Sequence, residues 1–251
     1  GGCDCDAGKA KGTLADVARY LEVEKIWKAG YMGQGVVVGI VDAGITAKGR
    51  RSGFKVEIPG VVDGYPDDWG RVAHGNGHGN MCAVDVLGMA PKVSLYDLRI
   101  TREGQTKATQ MISAAIKAYQ WAIERHKRDG TPHILTNSWG IFERKWDPEY
   151  ATNKSHPFIR MIKEAVDEGI IVLFSAGNCG EVCPAEKCGS DVGPGSSIWG
   201  GNGYERVITV GAANVEGQWI GYTSQGPAAL YPEKPDVCAI SHFEGYYTCD
   251  N

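Results

Sequence analysis

Three polar residues stand where apolar runs end. Asp42 closes residues 36–42 (VVVGIVD), and Asn178 follows Ser175-Ala176-Gly177 at the end of the apolar run 170–175 (IIVLFS). His78 lies between glycines in residues 77–83 (GHGNMCA). A carboxylate at the end of a buried strand is costly unless an imidazole N–H or a cation uses it. An imidazole can take and return a proton near neutral pH. A carboxamide can donate to a developing oxyanion. Each has a plain structural reading when taken singly: a turn Asp before glycine, a helix-start His, a capping Asn. Taken together, a carboxylate, an imidazole and a carboxamide at three strand ends are residue types that acyl transfer can use. His74 lacks the small and apolar residues that follow His78, so the base is assigned to His78.

Such groups need a rigid frame, and the hydrophobic pattern supplies one. Leu14, Val17, Ala18 and Leu21 recur at helical spacing, and the β-branched run 36–41 reads as a buried strand. A strand is expected over Val93–Ile100. A long helix follows, with Ala108, Met111, Ile112, Ala115, Tyr119, Ala122 and Ile123 on one face, closed by Asp129-Gly130. The alternation then repeats: a strand from Ile134, a helix carrying Phe158, Ile159, Ile162 and Val166, and strands over 170–175 and 207–211. Alternating strands and helices predict an α/β fold, a doubly wound, mostly parallel sheet with helices on both faces. Its chemistry belongs beyond the carboxyl ends of the strands. Residues 1–19 read as an N-terminal extension or linker and 20–251 as one catalytic domain. A helix starting at His78 would turn Met81, Cys82 and Val86 inward.

The 251 residues carry 26 Lys and Arg against 30 Asp and Glu, a formal charge of −4, which gives no reason to expect nucleic acid or an anionic membrane as partner. No apolar run reaches the ~18 residues of a spanning helix. Gly33-Gln34-Gly35 precedes the first strand, whereas a dinucleotide-binding glycine loop follows it, so that reading is set aside.

The local strings resemble those of the subtilisin-like serine proteases, the subtilases. Residues 36–44 (VVVGIVDAG) resemble the family's Asp segment and 77–83 its His segment, with Asn80 where Thr is more usual. Residues 87–95 (LGMAPKVSL), 136–140 (TNSWG), 175–178 (SAGN), 207–213 (VITVGAA) and 222–227 (YTSQGP) resemble further family segments in order. The resemblance runs from Tyr20 to Asn251. It implies a serine endopeptidase acting on peptide or protein substrates, with Asp42 orienting His78 and Asn178 supporting the oxyanion. Ser138, Trp139 and Gly140 would form the strand that pairs with substrate, and Gly140, Ala176 and Gly177 would line a specificity pocket with little bulk. Thr101-Arg102-Glu103-Gly104 would flank the peptide, with Arg102 and Glu103 available to bias charge preference.

By the same resemblance, Asn251 is the Asn of the family's nucleophile segment, and the serine lies three residues further on. The expectation is a fold incomplete at its C-terminus, its serine carried by a C-terminal fragment that docks on this chain. Ser138 and Ser175 offer no strand-to-helix turn, Ser224 and Ser241 read as loop residues, and none of the four is a substitute. The alternative is a non-catalytic scaffold or a peptide- or inhibitor-binding module. The family also implies a propeptide and an extracytoplasmic location, and it allows a structural calcium near Asp63, Asp67 and Asp68, where a hydrated surface loop is the simpler reading. No metal is assigned to the site.

Eight cysteines are present. Cys179, Cys183 and Cys188, spaced C-x3-C-x4-C, admit zinc or disulfides, with disulfides favoured. Cys238 and Cys249 bracket an expected hairpin and are candidates to pair. Cys82 is read as a free buried thiol, and Cys3 and Cys5, too close for an easy mutual bridge, as pairing elsewhere or binding a partner.

Overall fold

The computed structural model describes residues 3–6, 9–50 and 52–245. Its frame is a seven-stranded parallel sheet made of β1 (Val37–Asp42), β2 (Val61–Tyr65), β3 (Ser94–Arg99), β4 (Ile134–Asn137), β5 (Ile171–Ser175), β6 (Ile208–Ala213) and β7 (Val237–Ile240). The spatial order is β2-β3-β1-β4-β5-β6-β7. From β1 the chain first builds outward to one side and then, from β4, to the other. The crevice beyond the carboxyl ends of β1 and β4 is therefore the switch point at which such sheets bind ligands.

Two short helices, α1 (Leu14–Tyr20) and α2 (Val23–Lys28), precede the sheet; α3 (His78–Met89) leads into β3, and α4 (Ala108–Asp129) links β3 to β4. The short α5 (Pro148–Thr152) and α6 (Pro157–Asp167) come before β5. Helix α4 ends as its sequence asks: Gly130 takes the left-handed conformation at φ 79° and donates its N–H to the His126 carbonyl. Helix α6 starts at Pro157, and His156 Nδ1 accepts the Phe158 N–H at 3.1 Å.

The apolar residues of β1 alternate between two cores. Val37 and Val41 join Leu98, Leu135, Val172 and Phe174 beneath α4 and α6, where Tyr119 meets Phe158 edge-on at 5.1 Å. Val38 and Ile40 join Leu95, Ile45, Cys82 and Ala83 on the opposite face, beneath α3. That second face changes character along the sheet. Register places Thr136, Leu173, Ile208, Val210 and Val237 on it, and Ile208 and Val237 are 39% and 52% exposed.

Met81 departs from its expected inward placement. It faces out at 38% exposure, because the helix turns Cys82 and Ala83 onto β1 instead. Cys238 lies on β7, which runs parallel to β6, and the expected hairpin between Cys238 and Cys249 extends beyond the described residues. The Cys238–Cys249 pairing and the role given to Asn251 lie outside the described residues.

The N-terminal stretch is fastened to the far end of the chain. Asp4 donates its N–H to the Trp219 carbonyl, and its own carbonyl accepts from Gly221. Burial pushes the Asp4 carboxyl up, but hydrogen bonds from Asn214 and His242 win and hold it at about 2. Thr13 pairs with Glu244 in a further parallel bridge, and Cys5 is disulfide-bonded to Cys183.

Candidate active site

Asp42 is the last residue of β1, 4% exposed. The chain then turns through Gly44, which adopts φ 103°. The first turn of α3 packs directly on that turn: a side chain at Gly79 would run into the Gly44 carbonyl. Asn80 fixes the approach, its Oδ1 accepting the Thr46 N–H and its Nδ2 donating to Thr46 Oγ1, both at 2.8 Å. Asn80 thus clamps the turn that follows Asp42.

This packing brings the His78 ring to the carboxylate. Nδ1 lies 2.8 Å from Asp42 Oδ1 and 3.0 Å from Oδ2, and Oδ1 also accepts the Ala43 N–H at 2.6 Å. The carboxylate fixes the tautomer that protonates Nδ1. The Asp42 hydrogen bond raises the His78 pKa above its usual value; the Cys82 contact adds to the rise and burial opposes it. His78 Nε2 makes no hydrogen bond among the described residues, and the ring is 40% exposed into a cleft. Cys82 is free and buried, its Sγ 3.8 Å from both Asp42 Oδ2 and His78 Nδ1. Burial raises its pKa, so it stays a thiol at neutral pH. Asp42, His78 and Cys82 offer donor atoms within 4.8 Å of one another, close enough to share an ion.

The cleft encloses about 400 Å³. Ser138, Trp139, Gly140, Ala176, Gly177 and Asn178 line it together with His78, so the residues singled out in the sequence converge on one hollow. Asn178 is exposed, and no helix begins there, so its amide is not spent as a cap. Gly177, at φ 107°, packs on Ser224, whose Oγ accepts the Cys179 N–H at 3.0 Å. Ser224 is therefore more than a loop residue: it braces the segment that presents Asn178.

Several walls escaped the sequence reading. The pocket expected to have little bulk is flanked by Phe142, Trp146 and Trp199, with Lys187 on its lining. Asn202 packs against Gly140 and donates Nδ2 to the Trp139 and Ser175 carbonyls at 2.8 and 2.9 Å, tying the cleft's two walls together. Those two acceptors leave Asn202 Oδ1 buried and unpartnered, as is Trp199 Nε1. These residues come from loops and single 3-10 turns, where an Asn among glycines carries no periodic signal.

The zinc alternative is overturned, because Cys179 is bonded to Cys188 and Cys183 to Cys5. Cys3 is free. The carboxylate-rich loop does not fit a calcium ion: Asp63 pairs with Arg125 and Asp68 with Arg99, so guanidinium groups already neutralise two of its three carboxylates.

The sequence profile described as the Subtilase family matches residues 33–249, and the chain belongs to that family. It is 28% identical to "Serine protease AprX" of Bacillus subtilis (strain 168) over 231 residues, covering 82% of this chain and 46% of that protein. It is also 28% identical to "Subtilisin DY" of Bacillus licheniformis, covering 89% of this chain and 72% of that one. The chain thus spans about half the length of the first relative and some three quarters of the second. In fold it is similar to the crystal structure of MycP1 with the N-terminal propeptide removed, at TM-score 0.57 and 21% identity over 88% of this chain and 71% of that one.

Proposed function

We propose that residues 20–251 build most of the active site of a serine endopeptidase, whose nucleophilic serine is borne by a segment outside this chain's 251 residues. The observation that carries the reading is the Asp42–His78 pair at 2.8 Å, with Nε2 turned into a cleft that Asn178 also lines. In the reaction, His78 Nε2 removes the serine proton as Oγ attacks the peptide carbonyl, and Asp42 stabilises the imidazolium that forms. Asn178 donates to the oxyanion of the tetrahedral intermediate. His78 then returns the proton to the departing amine, and a water repeats the cycle on the acyl-enzyme. The peptide lies extended along Ser138–Gly140, just past the end of β4, as an added strand.

The open sheet face supports a docked segment. A hollow of about 520 Å³ runs over Leu173, Ile208, Val210 and Val237 and meets the cleft at Ser138, Ser175 and Asn178. A segment covering those residues would place its own groups beside Asn178. The family's members make a propeptide partner part of the reading, and two disulfides favour an extracytoplasmic location.

Labelling of the natural protein with a fluorophosphonate tests the reading. A covalent adduct on a serine is expected, and it should vanish in His78→Ala. Absence of any adduct overturns it in favour of a non-catalytic, peptide-binding module.

A further inference from the structure

Beyond the carboxyl ends of β2 and β3 lies a second cavity of about 270 Å³, walled by Tyr65, Arg99, Thr101, Arg102, Ala114 and Lys117. Three of these side chains are cationic, and no carboxylate lines the cavity. The Arg99 side chain is 9% exposed; it donates Nη2 to Asp68 and Nη1 to the Thr101 carbonyl at 3.3 Å, and its Nε is buried without a partner. Arg102 and Lys117 are exposed, and neither side chain has a hydrogen-bond or ion-pair partner among the described residues. With one charge offset by Asp68, the cavity keeps a surplus of about two positive charges, and a small anion is the species that relieves it.

Its place in the sheet gives that anion a source. The cavity lies at the same end of the parallel sheet as Asp42, and β3 neighbours β1. At roughly 4.8 Å between strands, β2 and β3 lie about 5–10 Å to one side of the strand that carries Asp42. Thr101 joins the two regions, its Oγ1 donating to the Ala43 carbonyl at 3.3 Å. Helix α4 borders both hollows, with Met111 at the cleft and Ala114 and Lys117 at the cavity. At 1.5 Å per residue these lie roughly 4.5 and 9 Å further along its axis. An extended peptide, at about 3.3 Å per residue, covers that span in two or three residues.

We infer that this cavity is a subsite for an acidic side chain of the peptide, two or three residues from the bond held in the cleft, with Arg102, Lys117 and Arg99 recognising its carboxylate. The inference rests on the protease reading above for its ligand, a peptide. Free phosphate shares the chemistry and would compete for the same groups. A Lys or Arg side chain at that position would be repelled.

The test measures binding of fluorescent peptide libraries to the full-length protein by anisotropy, each library holding one position as Glu or Gln. At one position the Glu library should bind about tenfold more tightly, the gain expected of a charge-assisted contact. High salt should shrink that ratio. So should the double variant Arg102→Gln/Lys117→Gln, which alters only exposed side chains; a circular dichroism melt checks that it folds. Inorganic phosphate should compete more strongly with the Glu library than with the Gln library. Equal binding of Glu and Gln at every position overturns the subsite while leaving the protease reading intact. If phosphate binds calorimetrically and the ratio is still one, the cavity is a free-anion site and the inference fails. If no library binds at all, the inference and the protease reading fall together.

Discussion

One face of the sheet has two halves with opposite fates. Under α3, Val38, Ile40 and Leu95 are sealed, and the helix that seals them also delivers His78 to Asp42. Across β5, β6 and β7 the same face carries Ile171, Ile208 and Val237 at 50%, 39% and 52% exposure. The closed half holds the Asp42–His78 pair, fixed by backbone contact at Gly79 and the Asn80 clamp. The open half holds Asn178, whose side-chain amide has no hydrogen-bond partner among the described residues. Burial accompanies the Asp42–His78 contact, and exposure accompanies Asn178 and the apolar residues of the outer strands.

Five substitutions would break or sharpen this contrast. The largest effect is expected from His78→Ala, which removes the base from the closed half. Peptide hydrolysis by the serine-bearing protein should fall by about 10⁴-fold, at the upper end of general acid–base contributions. Asn178→Ala, on the open side, should lower kcat by about 10²–10³ with little change in KM, because the amide acts on charge that develops only in the transition state. A fall in binding alone would show that Asn178 contacts the ground state.

The third concerns Asp97, fully buried on β3, whose Oδ2 accepts the Gly70 N–H at 2.7 Å while Oδ1 has no partner. Burial raises its pKa from 3.8 to about 7. The folded state then holds a proton that the unfolded state has released, so stability declines as pH rises from about 4 to 7. That decline amounts to at most about 4 kcal/mol. Asp97→Asn should flatten it, giving a higher melting temperature than the parent at pH 8 and a similar one at pH 4. Parallel pH dependence of parent and variant would refute this.

The smallest effect completes the comparison. Ile40→Ala, at 1% exposure, should cost about 2–4 kcal/mol in denaturant melts. Ile208→Ala on the open half should cost under about 0.5 kcal/mol in this chain alone. The same change should weaken association with the serine-bearing segment.

The sequence was most informative where burial imposed a pattern. β1, β3, β5 and β6, with α4 and α6, appeared as apolar runs or helical stripes because each is packed on a core. The edge strands β2 and β7 were missed, since VVDGY and VCAI lie where one side faces solvent and no alternation is enforced. Asp42 and Asn178 are readable because each follows an apolar run, and His78 because small and apolar residues follow it. Asn202 and Ser224, which brace the cleft walls, act through tertiary hydrogen bonds that no local spacing announces. The bond between Cys5 and Cys183 crosses 178 positions of chain, a pairing that composition alone leaves among many.

That bond has a further effect wherever the backbone is nicked. A single cut at any peptide link from residue 6 to residue 182 would leave both products covalently attached, one on each side of the sulfur bridge. Nicked molecules would still migrate as one species until reductant is added, and damage to a surface loop need not release either Asp42 or His78.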